Sequence, residues 1–82
     1  MVKLLYFASL RETLGVSGEE IDASACSDIR NLRAYLAARG GVWEVLAASK
    51  NLRAAVNQVM ASADAAIKDG DEVAFFPPVT GG

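Results

Sequence analysis

Residues 27–41, SDIRNLRAYLAARGG, carry the helix signal around which the rest of the chain is arranged. Ile29, Leu32 and Leu36 recur at the spacing that places side chains on one face of a helix. The Ser27–Asp28 pair is suited to cap the first turn, and the closing pair of glycines ends the helix. The sequence therefore predicts one main amphipathic helix near the middle of the chain.

Short apolar or alternating segments lie on both sides of this helix. They predict a strand at VKLLYF (2–7), a short helix at ASLRETLG (8–15), a strand at EEIDASA (19–25), a further helical turn at VWEVLAA (42–48), and strands at LRAAVNQVM (52–60) and EVAFF (72–76). Two strands before and two after one main helix predict an α+β domain, with a mixed sheet packed on that helix. This is the ubiquitin-like β-grasp, and we expect its first and last strands to lie side by side in the centre. We expect the domain to cover residues 1–76 and residues 77–82 to form a flexible tail.

Composition excludes several classes of function. The chain has 82 residues, enough for one small domain, and 52% of them are hydrophobic. A net charge of −2 argues against nucleic-acid binding, and no apolar run approaches the about 18 residues that a membrane span needs. There is no histidine and only one cysteine, so we expect no metal site and no histidine acid–base chemistry. We expect a reducing cytoplasm, with Cys26 as a small structural residue.

Alternation along the strands predicts one apolar outer face. Lys3 and Phe7 fall on the same side of the first strand, and a lysine is rarely buried, so that side should face away from the helix. If Phe75 faces the helix, Phe76 joins Phe7 on the outer face, and Met60 lies at its rim. Aromatic residues and methionine are enriched in interface cores, so this face is predicted to bind a partner.

The segment FPPVTGG (76–82) closes the sequence. Pro77 and Pro78 fix φ and favour an extended stalk, and the residues from Pro77 onward can reach about 20 Å. A glycine pair has no Cβ and can pass through a narrow tunnel. The functional group at the tip is the Gly82 α-carboxylate, an anion at neutral pH that reacts only after another protein activates it. The pattern predicts a carrier whose reactive group is a main-chain acid.

On these residues the chain resembles the small, ubiquitin-like sulfur-carrier subunits of molybdopterin synthase. The resemblance runs along the whole length and is densest at LLYFASLRE (4–12), AAVNQ (54–58) and DGDEVAFFPPVTGG (69–82). The last segment is the most specific, because ubiquitin-like proteins in general share only the terminal Gly-Gly.

The resemblance implies a mechanism and a set of partners. An E1-like adenylating enzyme would use ATP to activate the carboxylate of Gly82, and a sulfur donor protein would convert it to a thiocarboxylate. The tail would then enter the large subunit of molybdopterin synthase and pass its sulfur to cyclic pyranopterin monophosphate, on the route to molybdenum cofactor. The implied assembly is a heterotetramer, and the chain itself would bind no cofactor.

The resemblance also implies a role for particular residues. Gly82 would carry the sulfur, and Gly81 would allow the end of the tail to pass through a narrow tunnel. The segment that enters the partner would be formed by Phe76, Pro77, Pro78, Val79 and Thr80. Phe7 and Phe76 match apolar contact positions for the large subunit, and Met60 falls where the family carries a large aliphatic residue. Arg11 either pairs with an acidic group of a partner or is a solvated helix residue.

Three other functions fit parts of the pattern. A sulfur carrier for thiazole synthesis or tRNA thiolation would use the same tip chemistry, although the Phe-Pro-Pro run argues against it. A ubiquitin-like modifier would join Gly82 to lysines of other proteins. A plain interaction module would have an inert tail.

Overall fold

A computed structural model describes residues 1–78. The strands and helices, in chain order, are β1 (Val2–Tyr6), α1 (Ala8–Leu14), β2 (Gly18–Ile21), α2 (Ile29–Ala37), α3 (Val45–Ala48), β3 (Arg53–Val56), β4 (Val59–Ala61) and β5 (Glu72–Phe76). Single 3₁₀ turns at Ala23–Ala25 and Gly41–Glu44 precede α2 and α3.

The strands form one five-stranded sheet in the order β2-β1-β5-β3-β4. β1 runs parallel to β5, and the other neighbouring pairs are antiparallel. The first and last strands therefore lie side by side in the interior of a mixed sheet, as the sequence predicted. The β-grasp assignment is confirmed.

One face of the sheet packs against the helices and forms the core. Alternate residues of β1 and β5 are fully buried there, and α2 supplies the facing leucines; the most deeply buried side chains are Val2, Leu4, Tyr6, Leu32, Leu36, Leu46, Val73 and Phe75. The predicted division of faces is confirmed, because Lys3 lies on the opposite, uncovered side and is exposed. Burying each aliphatic side chain contributes about 1.5–3 kcal/mol, so this layer supplies most of the favourable free energy of folding.

The start of α2 is capped from two directions. The Asp28 carboxylate accepts a 2.7 Å bond from the Asn31 N–H, as expected of an N-cap residue. The backbone carbonyls of Ala65 and Ala63 accept from the N–H groups of Ile29 and Arg30, so the connection before β5 is tied to the helix. Within residues 1–78, none of the helices has the length and apolar run that crossing a membrane requires.

The prediction of one strand over 52–60 is wrong. Asn57 and Gln58 both adopt positive φ, 52° and 70°, and reverse the chain into the β3–β4 hairpin. Positive φ at both central residues defines the type I′ turn, whose twist matches that of the flanking strands. Ala54 and Val56 alternate up to the turn, and Asn-Gln is a weaker turn signal than Asn-Gly, so the pattern alone predicts a single strand.

The predicted strand over 19–25 is too long. β2 ends at Ile21, and the Asp22 carboxylate accepts from the backbone N–H of Ser24, which starts a 3₁₀ turn. Ala23 and Ala25 remain half-buried, whereas Asp22 and Ser24 are exposed. Burial therefore continues to alternate while the backbone leaves the sheet, and this explains why the pattern suggested a longer strand.

Candidate functional site

The uncovered side of the sheet presents an apolar surface, which we call the open face (Leu5, Ala55, Met60, Ala74 and Phe76). Strand register aligns Leu5 with Ala74, Ala74 with Ala55, and Ala55 with Met60, so this row shares one side of the sheet. Phe76 lies two residues beyond Ala74 and therefore on the same side. Met60, on the edge strand β4, is 61% exposed. The open face therefore carries Met60 and Phe76, two of the residues that the sequence predicted for a partner surface.

Phe7 lies at the end of the open face where the tail begins. It follows β1 in extended conformation, and its N–H donates a 3.1 Å bond to the carbonyl of Phe75. This bond brings Phe7 beside Phe76 at the end of the two central strands. The Phe7 side chain is 45% exposed, an unusual state for a large aromatic residue. The structure thus brings together two of the predicted partner-binding residues, Phe7 and Phe76.

The tail leaves from the end of the central strand. β5 ends at Phe76, and Pro77 and Pro78 follow without regular structure and half-buried. Val79, Thr80, Gly81 and Gly82 lie outside the described residues. Their predicted roles in insertion and sulfur transfer, and the division of the chain at residue 76, stay predictions.

Arg11 is placed away from the open-face row, in the last turn of α1. Its side chain is exposed, and it takes part in none of the ion pairs formed within residues 1–78. Both readings of Arg11, as a partner contact and as a solvated helix residue, stay open.

The junction between Phe7 and Ala8 is strained. Ala8 has a φ of 54°, and a left-handed conformation in a residue other than glycine costs on the order of 1–3 kcal/mol. Phe7 is the N-cap of α1 and offers no side-chain acceptor to the first turn. Replacing a polar cap by an apolar residue costs about 0.5–2 kcal/mol. A strained backbone conformation and an N-cap without a side-chain acceptor therefore occur side by side, next to the predicted partner surface.

A polar network fixes the end of β1 from the helix side. The Tyr6 hydroxyl donates to Glu19 Oε2 at 2.9 Å, and the guanidinium of Arg39 donates to both carboxylate oxygens at 2.8 and 2.7 Å. Arg39 also lies over the Trp43 ring, 4.4 Å from its centroid. Arg39 holds the pKa of Glu19 below its ordinary value, whereas burial, together with the bond to Glu19, raises the pKa of Tyr6 well above its own. The network positions β1 and leaves its tyrosine protonated.

Among the described residues, neither the cysteine thiol nor the carboxylates form an evident reactive or metal-binding site. Cys26 is buried, as predicted for a structural residue, and burial raises the pKa of its thiol. Within residues 1–78, no three histidine, cysteine, aspartate or glutamate side chains converge as metal ligands would.

The ThiS family model matches residues 4–82. The chain belongs to the ThiS family. It is 45% identical to the molybdopterin synthase sulfur carrier subunit of Escherichia coli over 82 residues, which cover 100% of both chains.

Solved structures agree with this placement. Small archaeal modifier protein 1 from Methanosarcina acetivorans superposes with a TM-score of 0.78 over 99% of this chain and 95% of that chain; at 20% identity it supports the fold alone. The complex of subunits 1 and 2 of molybdopterin-converting factor from Helicobacter pylori contains a chain that matches with a TM-score of 0.67 and 28% identity, over 99% of this chain and 97% of that chain.

Two features of the site were missed from the sequence. Arg53 lies opposite Phe76 in the β3–β5 register, beside the start of the tail. Only the strand pairing shows this, because the two residues are distant in the sequence. The positive φ of Ala8 has no sequence signal, since alanine is not a turn residue.

Proposed function

We propose that this protein is the sulfur carrier subunit of a molybdopterin synthase. The observation that carries the proposal is the 45% identity over the full length of both chains. The position of the tail gives independent support, because it follows the central strand β5 next to the exposed Phe7. The open face would then bind the large subunit while the tail enters its active site.

The chemistry takes place at the main chain of Gly82. The carboxylate attacks the α-phosphate of ATP on an E1-like enzyme, which releases pyrophosphate and leaves an acyl-adenylate. The terminal sulfur of a donor persulfide attacks the acyl carbon and AMP leaves; a thiol then cleaves the remaining S–S bond and releases the thiocarboxylate. In the synthase the sulfur passes to cyclic pyranopterin monophosphate, and water restores the carboxylate.

The proposed assembly and compartment follow from this chemistry. A dithiolene needs two sulfurs and each tail carries one, so two charged carriers act for each product. We propose a heterotetramer in which two small subunits flank a dimer of large subunits, in the cytoplasm. ATP is consumed by the activating enzyme.

Intact mass spectrometry of the protein co-expressed with its activating enzyme and sulfur donor tests the proposal. We expect a mass increase equal to the replacement of one oxygen by sulfur, and loss of that increase when charged carrier is mixed with large subunit and pterin substrate. A covalent ladder on other proteins in lysate with ATP would indicate a modifier instead.

Changes at the tail give a second test. A chain extended beyond Gly82, or one lacking Gly81 and Gly82, should gain no sulfur and support no synthase activity. Its melting temperature should match that of the unaltered protein, because the buried core ends at Phe75. Full activity of the extended chain would rule out Gly82 as the carrier group.

A further inference from the structure

The start of α1 breaks two local rules at consecutive residues. Helix N-caps favour residues whose side chain accepts a backbone bond, yet Phe7 occupies this position. Residues other than glycine, asparagine and aspartate rarely adopt positive φ, yet Ala8 has a φ of 54°. Local rules are expected to fail where function imposes a different requirement.

Other departures within residues 1–78 occur singly: Gln58 has a φ of 70° in the β3–β4 turn, and Glu44, the N-cap of the single-turn helix α3, makes no side-chain cap bond. The longer helix α2 has Asp28 as its N-cap, with a side-chain bond to Asn31. Asn57, at positive φ, is held by its own side chain, which donates to Asp71 and accepts from the N–H of Glu72. The first turn of α1 lacks either form of support. At the start of α1 both departures fall on consecutive residues, beside the exposed Phe7.

The geometry of this corner decides where the Phe7 ring lies. The Phe7 N–H donates to Phe75, and its carbonyl accepts from the Arg11 N–H at 3.3 Å. The left-handed turn at Ala8 takes the chain off the sheet immediately after Phe7. The buried side chains of Leu10 and Leu14 fix α1 against the core. A change of φ at Ala8 would therefore move Phe7 and not the helix.

We propose that Ala8 is a positioning residue whose left-handed backbone fixes Phe7 in the orientation that the large subunit binds. This inference rests on the proposed function and deepens it. A ring that is already held in its bound orientation loses little conformational freedom on binding, so the cost of ordering it is met in folding and the affinity is higher.

The test is the affinity of purified large subunit for variants at residue 8, measured by titration calorimetry. Ala8 is exposed, so a larger side chain meets no core, but a β-branched residue strongly disfavours positive φ. We expect Ala8→Val to weaken binding by about tenfold or more, and Ala8→Gly, which keeps positive φ accessible, to bind within about twofold of the unaltered protein. Ser9→Val is the matched control, because it adds similar bulk at the next exposed position without a positive φ.

A double-mutant cycle with Phe7→Ala separates positioning from a general structural effect. If Ala8 acts through Phe7, Ala8→Val should cause little further loss in the Phe7→Ala background. An equal loss in both backgrounds, or an equal loss from Ser9→Val, would overturn the positioning role. Should Ala8→Val not fold, Ala8→Leu replaces it in the same cycle with the same expected direction. Failure of the unaltered carrier to bind large subunit at all would overturn the proposed function as well.

Discussion

Gly18 lies in the edge strand β2, close to the backbone of its neighbour β1. A Cβ at this position would lie 2.4 Å from the backbone carbonyl oxygen of Leu4. Because a backbone atom cannot move aside as a flexible side chain can, the requirement for glycine here is steric. Its φ lies outside the left-handed range, so conformational freedom is not the reason.

Gly18→Ala should therefore destabilise the protein. Forcing one methyl group into this contact costs about 1–3 kcal/mol, and each kcal/mol lowers the melting temperature of a domain of this size by about 4–8 °C. Thermal unfolding followed by circular dichroism measures the change. Glu20→Ala, in the same strand but exposed, is the control and should change stability little.

Glu19 gives the fold a dependence on pH. The paired guanidinium of Arg39 lowers its pKa in the folded state, and the Tyr6 hydroxyl adds to this effect. A carboxylate with a lowered folded-state pKa contributes stability above its unfolded pKa, about 4.3, and loses it as pH falls through the folded value.

We expect Glu19→Gln to lower the free energy of unfolding by about 1 kcal/mol at pH 7, because a charged acceptor is lost. The difference from the unaltered protein should shrink as the pH falls through the lowered pKa of Glu19 in the folded state, where the native carboxylate also becomes protonated. Urea denaturation at several pH values measures it, with exposed Glu12→Gln as the control. A difference that is constant with pH would contradict the assigned role of the carboxylate.

At the scale of elements, the β3–β4 hairpin is held by an unfavourable turn sequence. Asn57 suits positive φ and bonds to Asp71, but Gln58 at 70° has no such advantage. A left-handed conformation costs a residue other than glycine about 1–2 kcal/mol. Glycine avoids this strain, but it loses more conformational entropy on folding, which costs about 0.5–1 kcal/mol.

Gln58→Gly should therefore raise the melting temperature by a few degrees, since the relieved strain exceeds the added entropy. Gln58→Ala removes the same side chain without making positive φ easier, so it should give no such increase. If both variants behave alike in differential scanning calorimetry, strain at residue 58 is not the cause.

The same hairpin shows what the sequence could and could not predict. The sequence pattern identified the α-helices α1, α2 and α3, and it identified the two central strands because Leu4, Tyr6, Val73 and Phe75 alternate as buried residues do. It failed where the backbone changes while alternation continues, at Asn57 and after Ile21.

For the site, the aromatic residues were predictable and their neighbours were not. Phe7 and Phe76 stand out by composition and alternation, whereas Arg53 reaches Phe76 only through long-range pairing. The strain at Ala8 depends on where α1 docks. Long-range register and backbone strain leave no mark in a short window of sequence.

At the scale of the molecule, the two faces of the sheet have different tasks. The helix-covered face holds the core, and Phe76 on the open face lies outside that cluster of buried residues. A substitution at Phe76 should therefore affect binding far more than folding.

Phe76→Ala should weaken binding to the large subunit by about tenfold to a hundredfold, since burying a phenylalanine side chain contributes about 1.5–3 kcal/mol. Surface plasmon resonance measures the affinity. Tyr35→Ala is the control, because Tyr35 is an exposed aromatic residue on α2, which covers the other face. Equal losses of affinity in the two variants would contradict the assignment of the open face as the docking surface.

The parallel pairing of β1 with β5 also governs how the protein is made. On the ribosome β1 emerges early, but its partner β5, in the middle of the sheet, is the last strand along residues 1–78. Pairing between such distant segments comes late in folding because it requires a long loop to close. A translation product that stops before β5 lacks the central strand and should remain unfolded and open to proteases.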